Sequence, residues 1–389
     1  MINLHAIRAD IPALSNLIHF NNAGTSLMPA PVYATYLEYL EQEQNRGAYE
    51  VANQRAGDTD NFYQQTAKMI HCTADEIAFC ESATRAWQSF FYSLKFQPGD
   101  QVVTTQLDYG SNFVGYIHQQ QRLGIEIVVI PCDDKGEIDF GAMRNAINYR
   151  TKLLSVSHIP TANGIISDVA KVGEIASDTG IPFLLDACQS VGQINVDVNQ
   201  IGCTALSATG RKYLRGPRGT GFLYVDKDFA ESMDPPWLDQ HGVNLLDRNS
   251  FELCSGARRF ENFETNFAAR ITLGKAIEYA NNIGLSAIGD RIISLGSYCR
   301  DQLVTIPQVT LQDTGSVKGG IVMFSHGEKS PAEIVDYLHQ HNVNVWASSG
   351  PGSLVDYQCR GLEVLVRASL HYFNSEAEID QMVKLLKVI

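Results

Sequence analysis

Short apolar runs alternate with amphipathic stretches through most of the chain. The runs are apolar at consecutive positions, which is typical of strands buried on both faces of a parallel sheet. They occupy residues 77–80, 101–105, 125–130, 153–158, 182–186, 204–208 and 221–225. One helical pattern begins near residue 83 and a second covers 112–122. A third ends at Gly180, a residue type that commonly terminates helices. This alternation predicts an α/β fold with a mainly parallel sheet and right-handed crossovers.

The pattern changes in the C-terminal part of the chain, where long helical stretches appear. The predicted elements are helices over 267–283, 287–304 and 331–341 and strands over 320–326, 342–346 and 365–370. A last helix begins at a capping box formed by Ser375 and Glu378 and carries an apolar stripe. We therefore expect a large domain over 15–255. A small C-terminal α/β domain would comprise 256–389, with residues 1–14 packing on it.

The composition is that of a globular protein with a strong negative charge. Of the 389 residues, 44% are hydrophobic and 19% are charged, and the net charge is −13. This charge disfavours nucleic-acid and anionic-membrane partners, since both require a positively charged surface. The sequence shows no secretory signal and no apolar run that could cross a membrane.

The cysteines and histidines do not suggest a metal site. The eight cysteines form no CxxC pair, and the ten histidines show no metal-ligand spacing. Scattered cysteines in a large chain without a signal peptide indicate reduced thiols in the cytoplasm. We therefore expect a cytoplasmic protein without a bound metal.

An aspartate and a lysine follow two consecutive apolar runs. Asp186 ends the run 182–186, and Lys212 lies in the loop after the run 204–208. In a parallel sheet, ligands bind at the C-terminal ends of the strands. Asp186 by itself could equally be the cap of a following helix. Together, the two residues are the pair that pyridoxal phosphate (PLP) requires: the lysine forms a Schiff base with its aldehyde, and the aspartate keeps the pyridine nitrogen protonated.

These residues belong to a D-x-x-Q motif, a strand of small residues and a G-[HR]-K motif, which together resemble the class V aminotransferases. This PLP-dependent family of fold type I includes cysteine desulfurases, C–S lyases and related epimerases. The resemblance extends from FNNAGTS (20–26) to VRASLHYFNSEAEID (366–380). It implies that Lys212 is the Schiff-base lysine, that Asp186 pairs with the pyridine nitrogen and that Gln189 contacts the ring hydroxyl.

A cradle for the cofactor phosphate is expected where a helix follows the run 77–80. The backbone N–H groups of Ala83 and Thr84 would point at an anion there, and the Thr84 hydroxyl can add a hydrogen bond. An ordinary Ser/Thr helix cap gives the same pattern. The resemblance also places Thr209 and Arg211 beside the phosphate.

Further residues are assigned by the resemblance to the cofactor ring and the substrate. Tyr109 occupies the position of an aromatic residue that stacks on the ring, and Thr161 aligns with an asparagine that reaches the ring hydroxyl. The backbone of Ala23 and Gly24 is expected to approach the substrate. This close approach would explain the glycine.

Arg367 interrupts an otherwise apolar strand. A buried guanidinium requires an anion as its partner. That anion is either a structural Asp or Glu or the α-carboxylate of a substrate, held by paired hydrogen bonds. The V-R-A-S match to the family favours the substrate carboxylate.

The segment FENFETNF (260–267) resembles the part of the family dimer that reaches the phosphate of the neighbouring subunit. The usual threonine aligns with Glu264, and Thr265 is next to it. The resemblance therefore implies a homodimer in which Thr265 is the candidate contact.

The reaction type depends on a loop of the small domain. Family desulfurases need a cysteine nucleophile in the loop that corresponds to 347–361, but no cysteine precedes Asp356 and Cys359 is close to the next strand. This favours β-elimination from a cysteine-type amino acid through an external aldimine, with Lys212 removing the α-proton. An aminotransferase or epimerase and a non-catalytic PLP-binding protein stay open as alternatives.

Overall fold

A computed structural model describes residues 2–389. Its helices are α1 Leu4–Ala9, α2 Ala30–Arg46, α3 Ala48–Gln54, α4 Ala56–Ile70, α5 Ala83–Phe91, α6 Gly110–Leu123, α7 Phe140–Ala146, α8 Val169–Thr179, α9 Val198–Ile201, α10 Lys227–Glu231, α11 Phe267–Ile283, α12 Leu285–Leu303, α13 Pro331–Gln340, α14 Leu354–Arg360 and α15 Glu376–Leu386. Its strands are β1 Ile18–His19, β2 Ile77–Cys80, β3 Gln101–Thr105, β4 Glu126–Ile130, β5 Thr151–Ser157, β6 Phe183–Asp186, β7 Ala205–Thr209, β8 Gly221–Val225, β9 Val243–Asp247, β10 Ser250–Leu253, β11 Val309–Leu311, β12 Ile321–His326, β13 Val343–Asn344, β14 Trp346–Ser349 and β15 Val364–Ser369.

The large domain is built on a seven-stranded sheet with the order β2-β8-β7-β6-β5-β3-β4. The strands from β7 to β4 pair in parallel, as their continuous apolar runs predicted. β8 instead runs antiparallel to both of its neighbours. The expectation of a parallel strand over 221–225 was therefore wrong. The loop 210–220 joins β7 directly to β8, whereas a parallel pair needs a longer crossover, usually through a helix.

The small domain contains a four-stranded antiparallel sheet with the order β11-β12-β15-β14. This sheet shares an apolar core with helices α12, α13 and α15. α15 begins at the predicted capping box of Ser375 and Glu378. The single strand predicted over 342–346 is two strands, because β13 pairs with β1 and β14 pairs with β15. A hydrophobic pattern does not show which partner each residue pairs with.

Helix α12 contributes to the cores of both domains. Its residues Ile288 and Ile292 lie in the core of the large domain, whereas Leu295 and Cys299 lie in that of the small domain. Helix α11 packs on α2 and α4 of the large domain. The domain boundary at residue 256 stays a prediction. A long amphipathic pattern identifies a helix but not the surface that its apolar side covers.

Some elements have no counterpart in the sequence-based prediction. Helices α2 and α3 and the hairpin β9–β10 are mostly exposed, so their apolar periodicity is weak. Helix α4 also has no predicted counterpart, although Phe62, Tyr63 and Ile70 on it are buried. Ile18 and Phe20 pack in the core of the small domain, whereas Ile7 and Ile11 pack in that of the large domain, and the assignment of residues 1–14 to the small domain stays a prediction. None of the helices within 2–389 has both the length and the apolar character needed to cross a bilayer.

Candidate active site

Asp186 and Lys212 lie at the same edge of the central sheet, as the strand pattern predicted. Asp186 is the last residue of β6, and Lys212 lies in the loop after the neighbouring β7. Lys212 is only 8% exposed, and this burial is the main reason why the pKa of its amine is lowered. The guanidinium of Arg211 lowers it further, although Cys188 and Asp186 act in the opposite direction. A lower pKa leaves more of the amine neutral, which is the form that can act as a nucleophile or a base.

The contacts of Asp186 are not those of a helix cap. One oxygen accepts a hydrogen bond from the backbone N–H of Cys188 at 3.0 Å. The other accepts from the side-chain amide of Asn112 at 3.1 Å. No helix begins directly after Asp186, and the next one, α9, is capped by Asp197. The alternative of a capping role for Asp186 is therefore wrong.

Thr161 connects two of the predicted site residues. Its side-chain oxygen accepts hydrogen bonds from Gln189 Nε2 at 3.1 Å and from Arg367 Nη1 at 3.0 Å. The same Gln189 amide donates to the backbone oxygen of Ala23 at 3.2 Å. Gln189, Thr161, Arg367 and Ala23 therefore form one cluster. The direct contact between Thr161 and the ring hydroxyl stays a prediction.

Arg367 is a buried cation without an anionic partner. It is 5% exposed, and no Asp or Glu of residues 2–389 forms an ion pair with it. Its guanidinium donates instead to Thr161 and, at 3.2 Å, to Asn21 Oδ1, while its Nε has no partner. Burial is the cause that lowers its pKa most. Because an unpaired buried charge is costly, this geometry favours pairing with an anionic ligand over a structural ion pair.

Gly24 lies where a side chain would disturb the surroundings of Arg367. A Cβ atom at this position would be 2.7 Å from Asn21 Oδ1, the atom that accepts from Arg367. The preceding residue, Ala23, donates its backbone N–H to Ser369 Oγ at 2.9 Å. Ser369 is in β15, two residues after Arg367, so these contacts join the N-terminal segment to the strand that carries the arginine.

The expected phosphate cradle lies at the N-terminus of α5. Ser82 is the N-cap, and its side chain accepts from the backbone N–H of Arg85 at 3.2 Å. Thr84 is exposed and is not the cap, so its hydroxyl is free to contact a ligand. The backbone N–H of Ala83 lies at the first helical position, where an anion is favoured by the helix dipole.

Thr209 and Arg211 lie close to this helix end. Thr209 pairs with Gly221 across β7 and β8, and a Cβ atom on Gly221 would be 3.0 Å from the backbone nitrogen of Ala83. Arg211 Nη1 donates to Thr209 Oγ1 at 3.1 Å. The structure therefore brings together the segments that carry the hydroxyl groups of Thr84 and Thr209, the N-terminus of α5 and the guanidinium of Arg211. These groups are suitable hydrogen-bond donors for a phosphate.

The loop 350–352 of the small domain packs over the large-domain site. A Cβ atom on Gly352 would lie 3.3 Å from Thr161 Cγ2 and 3.7 Å from Tyr109 Cε2. Tyr109 precedes α6 and is half-buried beneath this loop. Cys359 is exposed on α14 and lines a separate cleft together with Cys132. Cysteine is thus absent from the position that faces Tyr109 and Thr161.

Thr265 is not brought into this cluster within one chain. Its hydroxyl oxygen is buried and has no hydrogen-bond partner, while the neighbouring Glu264 is exposed. Sequence reasoning also missed Asn21, Asp108 and Asn112, which contact the site residues directly or through one another. Asn112 lies in α6, seven residues after β3 ends, so the strand pattern did not point to it.

The unused hydrogen-bonding groups of the site fit a phosphorylated pyridine aldehyde and its amino-acid substrate. Gln189 Oε1 and Arg367 Nε are buried without partners, and the Lys212 amine is buried with its pKa lowered. Gln189 suits a ring hydroxyl, Arg367 suits a carboxylate and Lys212 suits an aldehyde. Asp186 suits the ring nitrogen, and the N-terminus of α5 suits the phosphate.

Comparisons with known proteins agree with this geometry. The family described as aminotransferase class-V matches residues 18–382. A relative named probable cysteine desulfurase, from Methanothermobacter thermautotrophicus, is 29% identical over 98% of this chain and 97% of its own length. The apo structure of a cysteine desulfurase from Thermococcus onnurineus NA1 has a TM-score of 0.93 and 26% identity, and the match covers 100% of this chain and 98% of that chain.

A further solved structure resembles this chain in fold. It is a C-DES mutant with glycine covalently linked to the PLP cofactor, and it has a TM-score of 0.89 and 18% identity over 98% of each chain. The expected α/β architecture of fold type I is thus confirmed. The family predicted from the D-x-x-Q and G-[HR]-K motifs is confirmed as well, since the match spans nearly all of the sequence. This chain belongs to the class V aminotransferase family.

Proposed function

We propose that this protein is a PLP-dependent C–S lyase that cleaves a cysteine-type amino acid by β-elimination. PLP is the cofactor of class V aminotransferases. The observation that carries the choice of reaction is Gly352: the loop residue that packs over Tyr109 and Thr161 has no side chain and therefore no nucleophile. A β-elimination requires a base and an electron sink but no protein thiol.

Each site residue has a separate role in such a reaction. Bound PLP supplies the electron sink for the negative charge that develops at the substrate Cα. Asp186 keeps a proton on the ring nitrogen, and this proton makes the ring a better acceptor. Lys212 has a lowered amine pKa and takes the proton from Cα. Arg367 holds the α-carboxylate and so fixes the orientation of the substrate.

The experiment that tests this function is a product screen. Purified protein would be incubated with PLP and a panel of amino acids that includes cysteine and S-substituted cysteines. A C–S lyase releases pyruvate, ammonia and a sulfur product from one of them, with one water consumed and no added keto acid. Turnover that depends on an added keto acid would instead identify an aminotransferase.

Two other outcomes of the same screen would also contradict the lyase. Inversion at Cα without loss of the sulfur group would identify an epimerase. A complete lack of deuterium exchange at Cα, for every amino acid in the panel, would indicate a non-catalytic PLP-binding protein. Exchange is the direct measure, because it requires only that Lys212 removes and returns the α-proton.

Replacing Arg367 by Ala should lower kcat/KM by about ten- to a hundredfold, since it removes charge-assisted hydrogen bonds worth roughly 1.5–3 kcal/mol. The loss should appear mainly in KM if the carboxylate is held equally in the ground and transition states. Arg360→Ala is the matched control, because Arg360 pairs with Asp356 in the separate cleft. Equal effects of both substitutions would show that Arg367 does not bind the substrate.

Replacing Cys359 by Ser or Ala should leave product formation within a few-fold of the wild-type rate. The thiol is exposed on α14, apart from the residues that surround Lys212. Steady-state measurement of the released pyruvate and sulfur product checks this. A folded, PLP-loaded Cys359→Ala protein without activity would overturn the lyase proposal in favour of a desulfurase with a displaced nucleophile.

We also propose that the protein is a homodimer with Thr265 facing the phosphate of the partner subunit. The support is the family resemblance of 260–267 and the buried, unpartnered hydroxyl of Thr265. Mass action would then couple cofactor retention to dimerisation. An active monomer in sedimentation experiments would contradict the proposal. The cytoplasmic location stays a prediction.

A further inference from the structure

Asp108 is a buried carboxylate without a part in the chemistry described above. It is 1% exposed and lies in the connection between β3 and α6. Its Oδ1 atom accepts hydrogen bonds from Tyr109 N–H (2.8 Å), Asn112 Nδ2 (3.0 Å) and Ser157 Oγ (2.7 Å). Its Oδ2 atom accepts from Thr104 Oγ1 (2.8 Å) and Tyr116 Oη (2.7 Å). Because four donors on β3, β5 and α6 and the N–H of the adjacent Tyr109 converge on it, its position is strongly determined.

Asn112 connects this carboxylate to Asp186. Its Nδ2 atom donates at 3.0 Å to Asp108 Oδ1 and at 3.1 Å to Asp186 Oδ2. A primary amide nitrogen has two hydrogens, so each carboxylate takes one. Ionised carboxylates only accept, so Asp108 and Asp186 both favour the amide orientation in which nitrogen faces them. Without an acceptor at Asp108, Asn112 would keep its contact with Asp186 but lose the contact that fixes the amide from its other side.

The two carboxylates lie together without a cation paired to Asp108. Within residues 2–389, no Lys, Arg or His forms an ion pair with Asp108, and the titratable groups that face it are Tyr116 on α6 and Asp186 on β6. Burial is the main cause that raises the pKa of Asp108; Asp186 also raises it, against hydrogen bonds from Tyr116, Ser157 and Asn112. An ionised Asp108 would add negative potential behind Asp186, and this potential favours a cationic group in front of Asp186.

We propose that Asp108 is a positioning residue that acts on Asp186 through Asn112. It orients the Asn112 amide that holds the Asp186 carboxylate and, when ionised, adds negative potential near that carboxylate. The inference rests on the proposed function, in which Asp186 faces the protonated ring nitrogen of PLP. Asp108 itself touches neither the cofactor nor the substrate in this scheme.

The test compares Asp108→Asn with Asp100→Asn. Asp100 is a matched control, because it is a buried carboxylate that precedes the same strand at its opposite end and accepts from Gln97 N–H at 2.7 Å. Asp108→Asn should weaken PLP binding about tenfold or more in equilibrium dialysis. It should also lower the pH at which the visible absorption of bound PLP changes, because the lost negative charge no longer favours a proton on the cofactor. Asp100→Asn should change neither quantity.

A double-mutant cycle that combines Asp108→Asn with Asn112→Ala tests whether Asp108 acts on Asp186 through Asn112. If the positioning effect of Asp108 passes through Asn112, the double variant should lose less PLP affinity than the two single losses added together, whereas fully additive losses would contradict the route. If Asp108→Asn fails to fold, Asn112→Ala decides alone: unchanged PLP affinity and absorption would overturn the proposal. A wild-type protein that binds no PLP would instead refute the proposed function. Equal behaviour of Asp108→Asn and Asp100→Asn, with PLP bound by the wild type, would refute only the positioning role.

Discussion

Replacement of Lys212 by Ala is expected to lower kcat by about 10²–10⁴-fold or more, the range that removal of a general base produces. Lys212 is the lysine that the structure buries at the ends of β6 and β7, with a lowered pKa that makes its amine available. The same change should abolish the covalent attachment of PLP. Borohydride reduction of wild-type protein, followed by peptide mass analysis, should find the cofactor on Lys212.

The control for this prediction is Lys318→Ala. Lys318 is half-buried, but it donates to the backbone oxygen of Gly315 in the separate cleft lined by Cys359. This variant should keep its PLP attachment and its kcat. A Lys212→Ala protein with full activity would rule out the mechanism.

Replacement of Asp186 by Ala is expected to remove nearly all turnover while leaving weakened PLP binding. Loss of a charge-assisted contact of roughly 1.5–3 kcal/mol corresponds to about a ten- to hundredfold loss of affinity. The loss in kcat should be larger than the loss in affinity, because a neutral pyridine is a poor electron sink. Dialysis against PLP and single-turnover kinetics would measure the two effects separately.

Two variants sharpen the interpretation of the Asp186 experiment. Asp186→Asn keeps the shape but removes the charge, so it should retain PLP better than Asp186→Ala and still lose turnover. Asp197→Ala removes the cap of α9, close to Asp186 in sequence, and should reduce only the stability of the fold. An Asp186→Ala protein with wild-type kcat would show that the ring nitrogen has another partner.

Strand ends were the most informative feature of the sequence. The apolar runs that became β6 and β7 located Asp186 and Lys212 at one edge of a parallel sheet, because consecutive strands in such a sheet end on the same side. The motifs around these residues indicated the family, and the match over 18–382 confirmed it. The capping box of α15 was equally readable, since it depends on residues three positions apart.

Contacts between segments that are far apart in the sequence could not be predicted in the same way. The sequence left two partners open for Arg367, and only the fold shows that no acidic side chain among residues 2–389 forms an ion pair with it. The antiparallel direction of β8 and the shared helix α12 depend on which surfaces meet, and hydrophobic periodicity does not encode this.

The sequence by itself determined the class of this protein, the seven strands of its central sheet and the candidate pair Asp186 and Lys212, because periodicity, caps and motifs are local properties of the chain. The tertiary structure decided which groups surround that pair. It placed Asn112 against Asp186 and Gly352 over Tyr109, contacts between residues far apart in the chain. Such contacts arise from the packing of whole elements, so their energies and geometry appear only once the chain has folded.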